Sequence, residues 1–528
     1  MLTQERSITV NKIGGANMSQ LGEVLNLVNV LHGQNEAPIL VVSAFKDVTD
    51  RLIDAMDKDL EGKDYDENAI RQAFKPVLQI VNGKIDEFIK DDNFKREARE
   101  HVERELDICI TTLMTHKQIS RTFAPGDKTY KTRDKIVAFG ERSVVGILEA
   151  FLKENGIKAK ALKDVSYQGN QVKASKSELH KGIQRGIAEA LDPYKETIAE
   201  QVLIIGGHVK DVLRGMEKEI GRSYTDTTAV DVTVALEKFL GISVDSTVAW
   251  KEVDGVLSSD PKQLDESINP STNRPTNTAI VYSDVSLNEG MELAGANSLL
   301  MQVDALGLAL EEGISLSLKN IKKPYDEGTT FSVEETTTDF PFKIVMANML
   351  SDSISCKIPS MVSGVGFAAA LTKAFADNDI SLNDIMTSST TVGFTINLPS
   401  GDASRKELRK RIRKTIAKIR NLEINGEVYR CDSKWRKENR ANVVIIGDEL
   451  RNATGVLSVI TGVLASQGIN ISSLVQEEEQ RKISGYVDHK DAPRAVQALH
   501  RVFIDKDVEF GKTVIAGIQA NVHKFLRK

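Results

Sequence analysis

A chain of 528 residues is too long for one hydrophobic core, and at roughly 100 to 200 residues per domain it predicts two to four domains. With 41% hydrophobic and 27% charged residues and a net charge of −6, the composition is that of an ordinary soluble protein, and it excludes nucleic-acid binding that relies on overall basicity. The three cysteines, Cys109, Cys356 and Cys431, are too far apart in sequence to suggest a zinc cluster or a disulfide framework. No apolar run approaches the roughly 20 residues of a membrane span, and "MLTQERSITV" lacks a signal peptide's apolar core, so a cytoplasmic location without membrane contact is expected.

The first half alternates strand-like and helical patterns. "SITVNK" is followed by a helical stripe of Leu21, Val24, Leu25, Val28 and Leu31, then by "APILVVSAF". Further strands read as "KAKAL", "QVLIIGG", "SVDSTVAW" and "ISLSLKN", which is the rhythm of a parallel-rich open sheet with helices on both faces. A mostly polar stretch, about 58–122, places Leu106, Ile110 and Leu113 at helical spacing and reads as a helical insertion packed on the outside. This first domain is expected to span residues 1–325.

Beyond "KKPYDEGTT" the chain repeats itself. An offset of 89 positions sets Gly366 over Gly455, Phe375 over Leu464, Ile380 over Ile469 and Ile385 over Leu474. Each copy reads strand, glycine turn, amphipathic helix and strand, which predicts two small α+β domains, at 341–440 and 441–528. In the second, "KTVIAGIQANV" is expected to return as a strand. The basic run from Arg405 to Arg420 carries Leu408, Ile412, Ile416 and Ile419 at helical spacing, so its charges are the solvated face of an amphipathic helix rather than a nucleic-acid site.

Five segments of the first domain carry candidate chemistry. Lys12, Gly14 and Gly15 separate a strand from a helix, where bare backbone N–H groups and a cation suit phosphate, although a tight turn would look the same. "VVSAFKDVTD" ends a buried strand on Ser43, as a loop at a sheet's carboxyl edge or a simple helix cap would. Glu141 opens a helix, either as a first-turn carboxylate or as the partner of a substrate ammonium. In "GRSYTDTTA", Arg222 and several hydroxyls precede Asp226 and a helix apolar nearly all round, and Arg222 suits a carboxylate. "AWKEVDGVLSSDPK" is a polar loop containing Glu252, Asp260 and Lys262. His208, after two glycines, reads as structural.

Taken in order, "KIGGAN", "VVSAFKDVTD", "GERSVV", "GRSYTDTTA", "EVDGVLSSDPK" and the paired C-terminal copies resemble the aspartokinases of the amino-acid kinase family, which carry C-terminal ACT domains. The motif character is closest to the ectoine-linked subgroup. The resemblance implies phosphorylation of the L-aspartate side-chain carboxylate by ATP with Mg²⁺, in a homodimer. It further implies that Lys12 and Asp226 act on the phosphoryl group, that Ser43, Glu141 and Arg222 hold aspartate, and that Gly14, Gly15, Glu252, Asp260 and Lys262 line the nucleotide. Ser363, Gly366, Phe367, Asp384 and Ser389 match positions of an amino-acid effector pocket. Departures from the family pattern fall at Ala16 and Asn17, which replace two hydroxyls, at Ser223 and Tyr224, which replace two glycines, at Leu257, at Asn297, which replaces a nucleotide-binding lysine, and at Thr390. Two other readings stay open: a weakly active or inactive kinase-fold sensor of an amino acid, and a kinase for another amino-acid carboxylate.

Overall fold

The computed structural model describes residues 6–56, 64–120, 127–163, 165–170, 175–221, 224–264, 267–268, 275–276, 278–296, 300–335, 342–362, 364–399, 401–437, 440–476, 479, 481–507, 510–517 and 519. Two compact units result, one from 1–256, 283–287 and 300–334, the other from 257–282, 288–299 and 335–528.

The first unit is built on an eight-stranded sheet. Its strands are β1 (Ser7–Ile13), β2 (Glu36–Val42), β3 (Ala159–Leu162), β4 (Val202–Gly206), β5 (Ser246–Lys251), β6 (Asp284–Ser286), β7 (Leu316–Asn320) and β8 (Thr329–Ser332). They lie in the order β6-β8-β7-β5-β1-β2-β4-β3, and every neighbouring pair is parallel except β7 with β8. Strands sealed on both faces read as continuous apolar runs, as "PILVV" does, and alternation then assigns each residue to a face. Leu40 and Val42 enter one core and Ile39 and Val41 the other, just as Ile204 separates from Leu203 and Ile205.

Over the first core lie α1 (Leu21–Gly33), α2 (Glu67–Phe88), α3 (Asp92–Ser120), α4 (Asp127–Val137) and α5 (Phe139–Glu154). The inserted segment contributes α2 and α3, whose stripes Phe74, Val77 and Val81 and Val102, Leu106 and Leu113 join the same core as the sheet. The second core is covered by α6 (Lys176–Leu191) and α7 (Tyr224–Val234), and α8 (Val303–Glu312) precedes β7. Register places the carboxyl ends of four strands side by side: Ile13 faces Val42 and Trp250, and Val42 faces Gly206. In an open α/β sheet that edge is where ligands bind.

The second unit holds two four-stranded antiparallel sheets. Their strands are β9 (Ile344–Asn348), β10 (Ser351–Lys357), β11 (Ile385–Thr387), β12 (Thr391–Asn397), β13 (Asp432–Lys437), β14 (Arg440–Ile446), β15 (Ser473–Gln476) and β16 (Lys482–Asp488), in the orders β11-β12-β10-β13 and β9-β14-β16-β15. Helices α9 (Phe367–Ala376) and α10 (Asp402–Ile419) pack on the first sheet, α11 (Val456–Ser466) and α12 (Ala492–Phe503) on the second. The offset of 89 is visible atom by atom. Gly366 and Gly455 cap α9 and α11 at φ +90° and +85°, a left-handed conformation that favours glycine. At the other end Ile380 N donates to Phe375 O (3.1 Å) and Ile469 N to Leu464 O (2.9 Å).

Two expectations are corrected. The strand Ile344–Asn348 belongs to the second sheet, not the first, because it pairs antiparallel with β14. The stretch expected to return as a strand is helical over residues 510–517, where Phe510 and Val514, four apart, pack on the core beneath the β9-β14-β16-β15 sheet. With β9 in place, that edge of β14 has no room for another strand.

Candidate active site

Lys12 lies near the carboxyl end of β1, buried, and its Nζ forms an ion pair with Asp226 Oδ1 in the first turn of α7. Lys251, the last residue of β5, places its Nζ 3.7 Å from Asp226 Oδ2. Burial by itself would raise the Asp226 pKa. The charges of Lys12 and Lys251, with a backbone hydrogen bond from Gln302, outweigh it and hold the carboxyl below its usual value. Lys251 is pushed down to about 8, first by burial and then by the charge of Lys12. Two ammonium groups against one carboxylate leave a net positive charge at the sheet edge, suited to a phosphate chain.

The turn after β1 brings the chain close to the neighbouring loop. A Cβ on Gly15 would stand 2.5 Å from Ala44 O, so only glycine fits, whereas one on Gly14 would make an ordinary 3.5 Å contact with Lys12 Nζ. Asn17 is buried and its Nδ2 donates to Trp250 O (3.1 Å), tying this turn to β5 beside Lys251. Ser43 follows β2 directly, half-buried, with its backbone N–H donating to Ile13 O (3.2 Å).

Glu141 stands in the first turn of α5. Gly140 before it leaves room for Ala44 and Val48, whose side-chain atoms would be 2.7 and 2.9 Å from a Cβ. Thr225 Oγ1 donates to Glu141 Oε1 (3.0 Å), while Oε2 is buried without a hydrogen-bond partner among the described residues. Burial pushes the carboxyl up to about 7, against the Thr225 hydroxyl, the His208 backbone and the charge of Lys12, which favour ionisation. Gly207 is obligatory here too, because a Cβ would come within 2.6 Å of Thr225 Oγ1. The inserted helix α3 grips the next residue: His101 Nε2 lies 2.7 Å from Arg142 O, and Glu105 accepts from Arg142 Nε (2.5 Å).

A pair of lysines on one buried aspartate, near a second buried carboxylate on a parallel sheet edge, agrees with the sequence comparisons. The profile of the amino acid kinase family matches residues 7–274, just over half of the chain. The chain belongs to the amino acid kinase family. An ACT domain profile matches residues 443–503, which lie in the second repeat copy. Among curated relatives, Aspartate kinase FUB3 of Gibberella fujikuroi is 24% identical over 447 residues, covering 78% of this chain and 79% of its own. Aspartokinase 1, chloroplastic, of Arabidopsis thaliana is 23% identical over 518 residues, covering 95% and 81%. Escherichia coli aspartokinase III in complex with lysine and aspartate superposes with a TM-score of 0.68 at 19% identity, covering 94% of this chain and 99% of that one; its complex with aspartate and ADP gives 0.66 at 20%, covering 93% and 99%. At such identity these two structures establish the fold.

The amino acid kinase unit thus gathers Lys12, Gly14, Gly15, Ser43, Glu141 and Asp226 at one sheet edge. Glu252 follows Lys251 and is exposed. Asp260 and Lys262 fall in the second unit, where Asp260 Oδ1 caps a short turn by accepting from Lys262 N (3.0 Å). Arg222, Ser223, Asn297 and Ser363 lie outside the described residues. Of the other effector positions, Gly366 caps α9, Phe367 is buried edge-on to Tyr429, Ser389 is exposed, and Asp384 is buried against the Tyr486 hydroxyl of the other ACT-like copy.

Sequence reasoning missed Lys251, Thr225 and Gln302. Thr227 Oγ1 donates to Gln302 Oε1 (3.1 Å), and Gln302 caps α8. Lys251 left a local signal, a lysine closing a strand just before a polar loop, and Thr225 stood among the hydroxyls before Asp226, but Gln302 left none.

Proposed function

We propose that the protein is an aspartate kinase, transferring the γ-phosphoryl group of ATP to the side-chain carboxylate of L-aspartate to give 4-phospho-L-aspartate. The observation that carries this reading is the Lys12–Asp226–Lys251 cluster, set at the same sheet edge as the buried Glu141 carboxylate. Curated aspartokinases that align with most of the chain support it.

The acceptor needs no general base, because an aspartate side chain with a pKa of about 3.9 is already ionised at neutral pH. What the chain must supply is position and charge. Lys12 and Lys251 offer positive charge to the transferring phosphoryl group, and the turn at Gly14 and Gly15 offers backbone N–H groups. Glu141 holds the substrate ammonium, Ser43 lies beside it, and Arg222 takes the α-carboxylate. Glu252, Asp260 and Lys262 are assigned to the nucleotide. Among the described residues no three His, Cys, Asp or Glu side chains cluster as a metal site. Mg²⁺ suits a single carboxylate plus substrate phosphates, so Asp226 would hold it; bound there, the ion neutralises phosphate charge.

Asn17, which replaces a hydroxyl of the family pattern, serves as a strap to β5, and this favours an active enzyme over an eroded one. A dimer with an amino-acid effector between ACT-like copies is part of the proposal, supported by the lysine in the aspartokinase III complex. A specialised pathway such as ectoine synthesis rests on motif character.

The test is a hydroxylamine trap with ATP, Mg²⁺ and either aspartate or glutamate. Aspartyl hydroxamate that disappears in Lys12→Ala is the expected result. None from either substrate, with folded protein, would return the chain to an amino-acid sensor, and glutamyl hydroxamate alone would reassign the substrate.

A further inference from the structure

Resting on the reading of this edge as an amino-acid site, we propose that His208 contacts the substrate directly. Its Nδ1 and Glu141 Oε2 together receive the ammonium group of the amino acid, and Asp134 is the positioning residue that fixes the imidazole tautomer.

His208 follows Gly206 and Gly207 at the carboxyl end of β4, and its ring is buried. Nε2 lies 2.7 Å from Asp134 Oδ2 on α4. A carboxylate can only accept, so in the neutral ring Nε2 carries the proton and Nδ1 is left as an acceptor. Asp134 is held in place for this. A Cβ on Gly215 (φ +89°) would be 2.5 Å from its side chain, and the Tyr224 ring packs edge-on to the imidazole at 6.3 Å.

Among the described residues, His208 Nδ1 and Glu141 Oε2 are both buried without a hydrogen-bond partner. Both residues line one small cavity of about 20 Å³, with Arg142, Val145, Gly206 and Lys210 among its other walls. That space admits about one water-sized group. Two buried acceptors that line one cavity and have no hydrogen-bond partner among the described residues suit a ligand that only donates, and an ammonium brings three N–H bonds of the right size.

An ordered water would fill the space but would bring the buried Glu141 carboxylate no charge beyond the influence of Lys12, and an unpaired buried carboxylate is costly. Arg142, next in sequence, cannot supply that compensation, because its guanidinium is spent on Glu105 (2.5 Å) and on Lys135 O (3.1 Å). The body of the amino acid then stays outside the recess, and only its nitrogen enters.

Two substitutions separate this role from a structural one. His208→Gln keeps a donor where Nε2 was and so preserves the Asp134 tie, but it lacks the Nδ1 acceptor. His208→Asn does the reverse. Steady-state kinetics on the full chain should show KM for aspartate raised about 10-fold or more in His208→Gln, with kcat and KM for ATP within about threefold, and a smaller rise in His208→Asn. Asp134→Asn should raise KM for aspartate in the same selective way. If the ring served only to tie α4 to β4, the order would reverse, with His208→Asn the more damaged and all three constants affected. That order, or an unchanged KM for aspartate in His208→Gln, overturns the proposal while leaving the aspartate kinase reading intact. A wild-type protein that phosphorylates no amino acid would remove both.

Discussion

The two halves of the proposed active site, one assigned to phosphate and one to the amine, handle buried charge in opposite ways. At the phosphate half, Asp226 is flanked by Lys12 and Lys251, and its carboxyl sits below the normal range because the chain supplies the counter-charges. At the amine half, Glu141 is as deeply buried, is met by two neutral donors, the Thr225 hydroxyl and the His208 backbone, with no ion-pair partner among the described residues, and rises to about 7. In the proposal, one half is assembled before substrate arrives and the other is completed by it. If this is right, removing a charge from the first half should cost turnover, and removing it from the second should cost affinity. The largest effect is expected for Lys12→Ala, a loss in kcat of roughly 10²–10³-fold, the usual cost of deleting one transition-state charge partner. KM for aspartate should change little. A variant in which KM for aspartate moves and kcat does not would break the division.

Glu141→Gln tests the other half, with KM for aspartate expected to rise roughly 10- to 100-fold for the loss of a charged hydrogen bond. Two pH measurements sharpen it. Wild-type KM for aspartate should climb as pH falls through about 7, where Glu141 takes up a proton, and this climb should be absent from the glutamine variant. Stability should run against activity. A carboxyl whose pKa is raised by folding, from 4.5 to about 7, favours the fold when neutral, so its contribution is complete below the unfolded value and is lost as pH rises through the folded one. By linkage the loss is at most roughly 3 kcal/mol. Glu141→Gln should therefore melt higher than wild type at pH 8 and equal to it near pH 4.5. A variant that melts lower at pH 8 would mean that Glu141 is paired after all.

Much of this was legible in the sequence because the signals are local. Apolar alternation along "PILVV" and the offset of 89 encode the faces of strands and the twin glycine caps without help from distant residues. Lys12, Glu141 and Asp226, which the structure brings to one sheet edge, stood out because each sits near an element boundary, where a strand or helix ends. What stayed hidden depends on pairings far apart in the chain. Nothing near Lys251 says that β5 lies beside β1, and nothing near His208 says that Asp134, 74 residues earlier, fixes its ring. The same limit misassigned β9, whose partner strand begins about a hundred residues later. The C-terminal stretch misled for a different reason: its Val and Ile favoured a strand, while Phe510 and Val514, packing at helical spacing, decided otherwise.

A third carboxylate completes the comparison. Asp384 in the ACT-like unit is buried and has no ion-pair partner among the described residues. Its Oδ2 is approached by the hydroxyls of Tyr486 and Thr395 (3.2 Å for the latter) and by Asn383 Nδ2 (2.9 Å). Burial, followed by the Asp384 charge, raises the Tyr486 pKa, so the phenol keeps its proton and can go on donating it. Such a carboxylate is closed by the chain itself, across the two copies, and its contribution should be to stability rather than to chemistry. Tyr486→Phe removes the hydroxyl and leaves the Asn383 and Thr395 bonds in place, so the expected loss is about 1 to 2 kcal/mol in denaturant unfolding. The kinase constants should not change, because no group of the active site is touched. A fall in kcat or a shift in KM for aspartate would instead mean that the contact between the copies is felt at the sheet edge, and that Asp384 belongs with the working carboxylates after all.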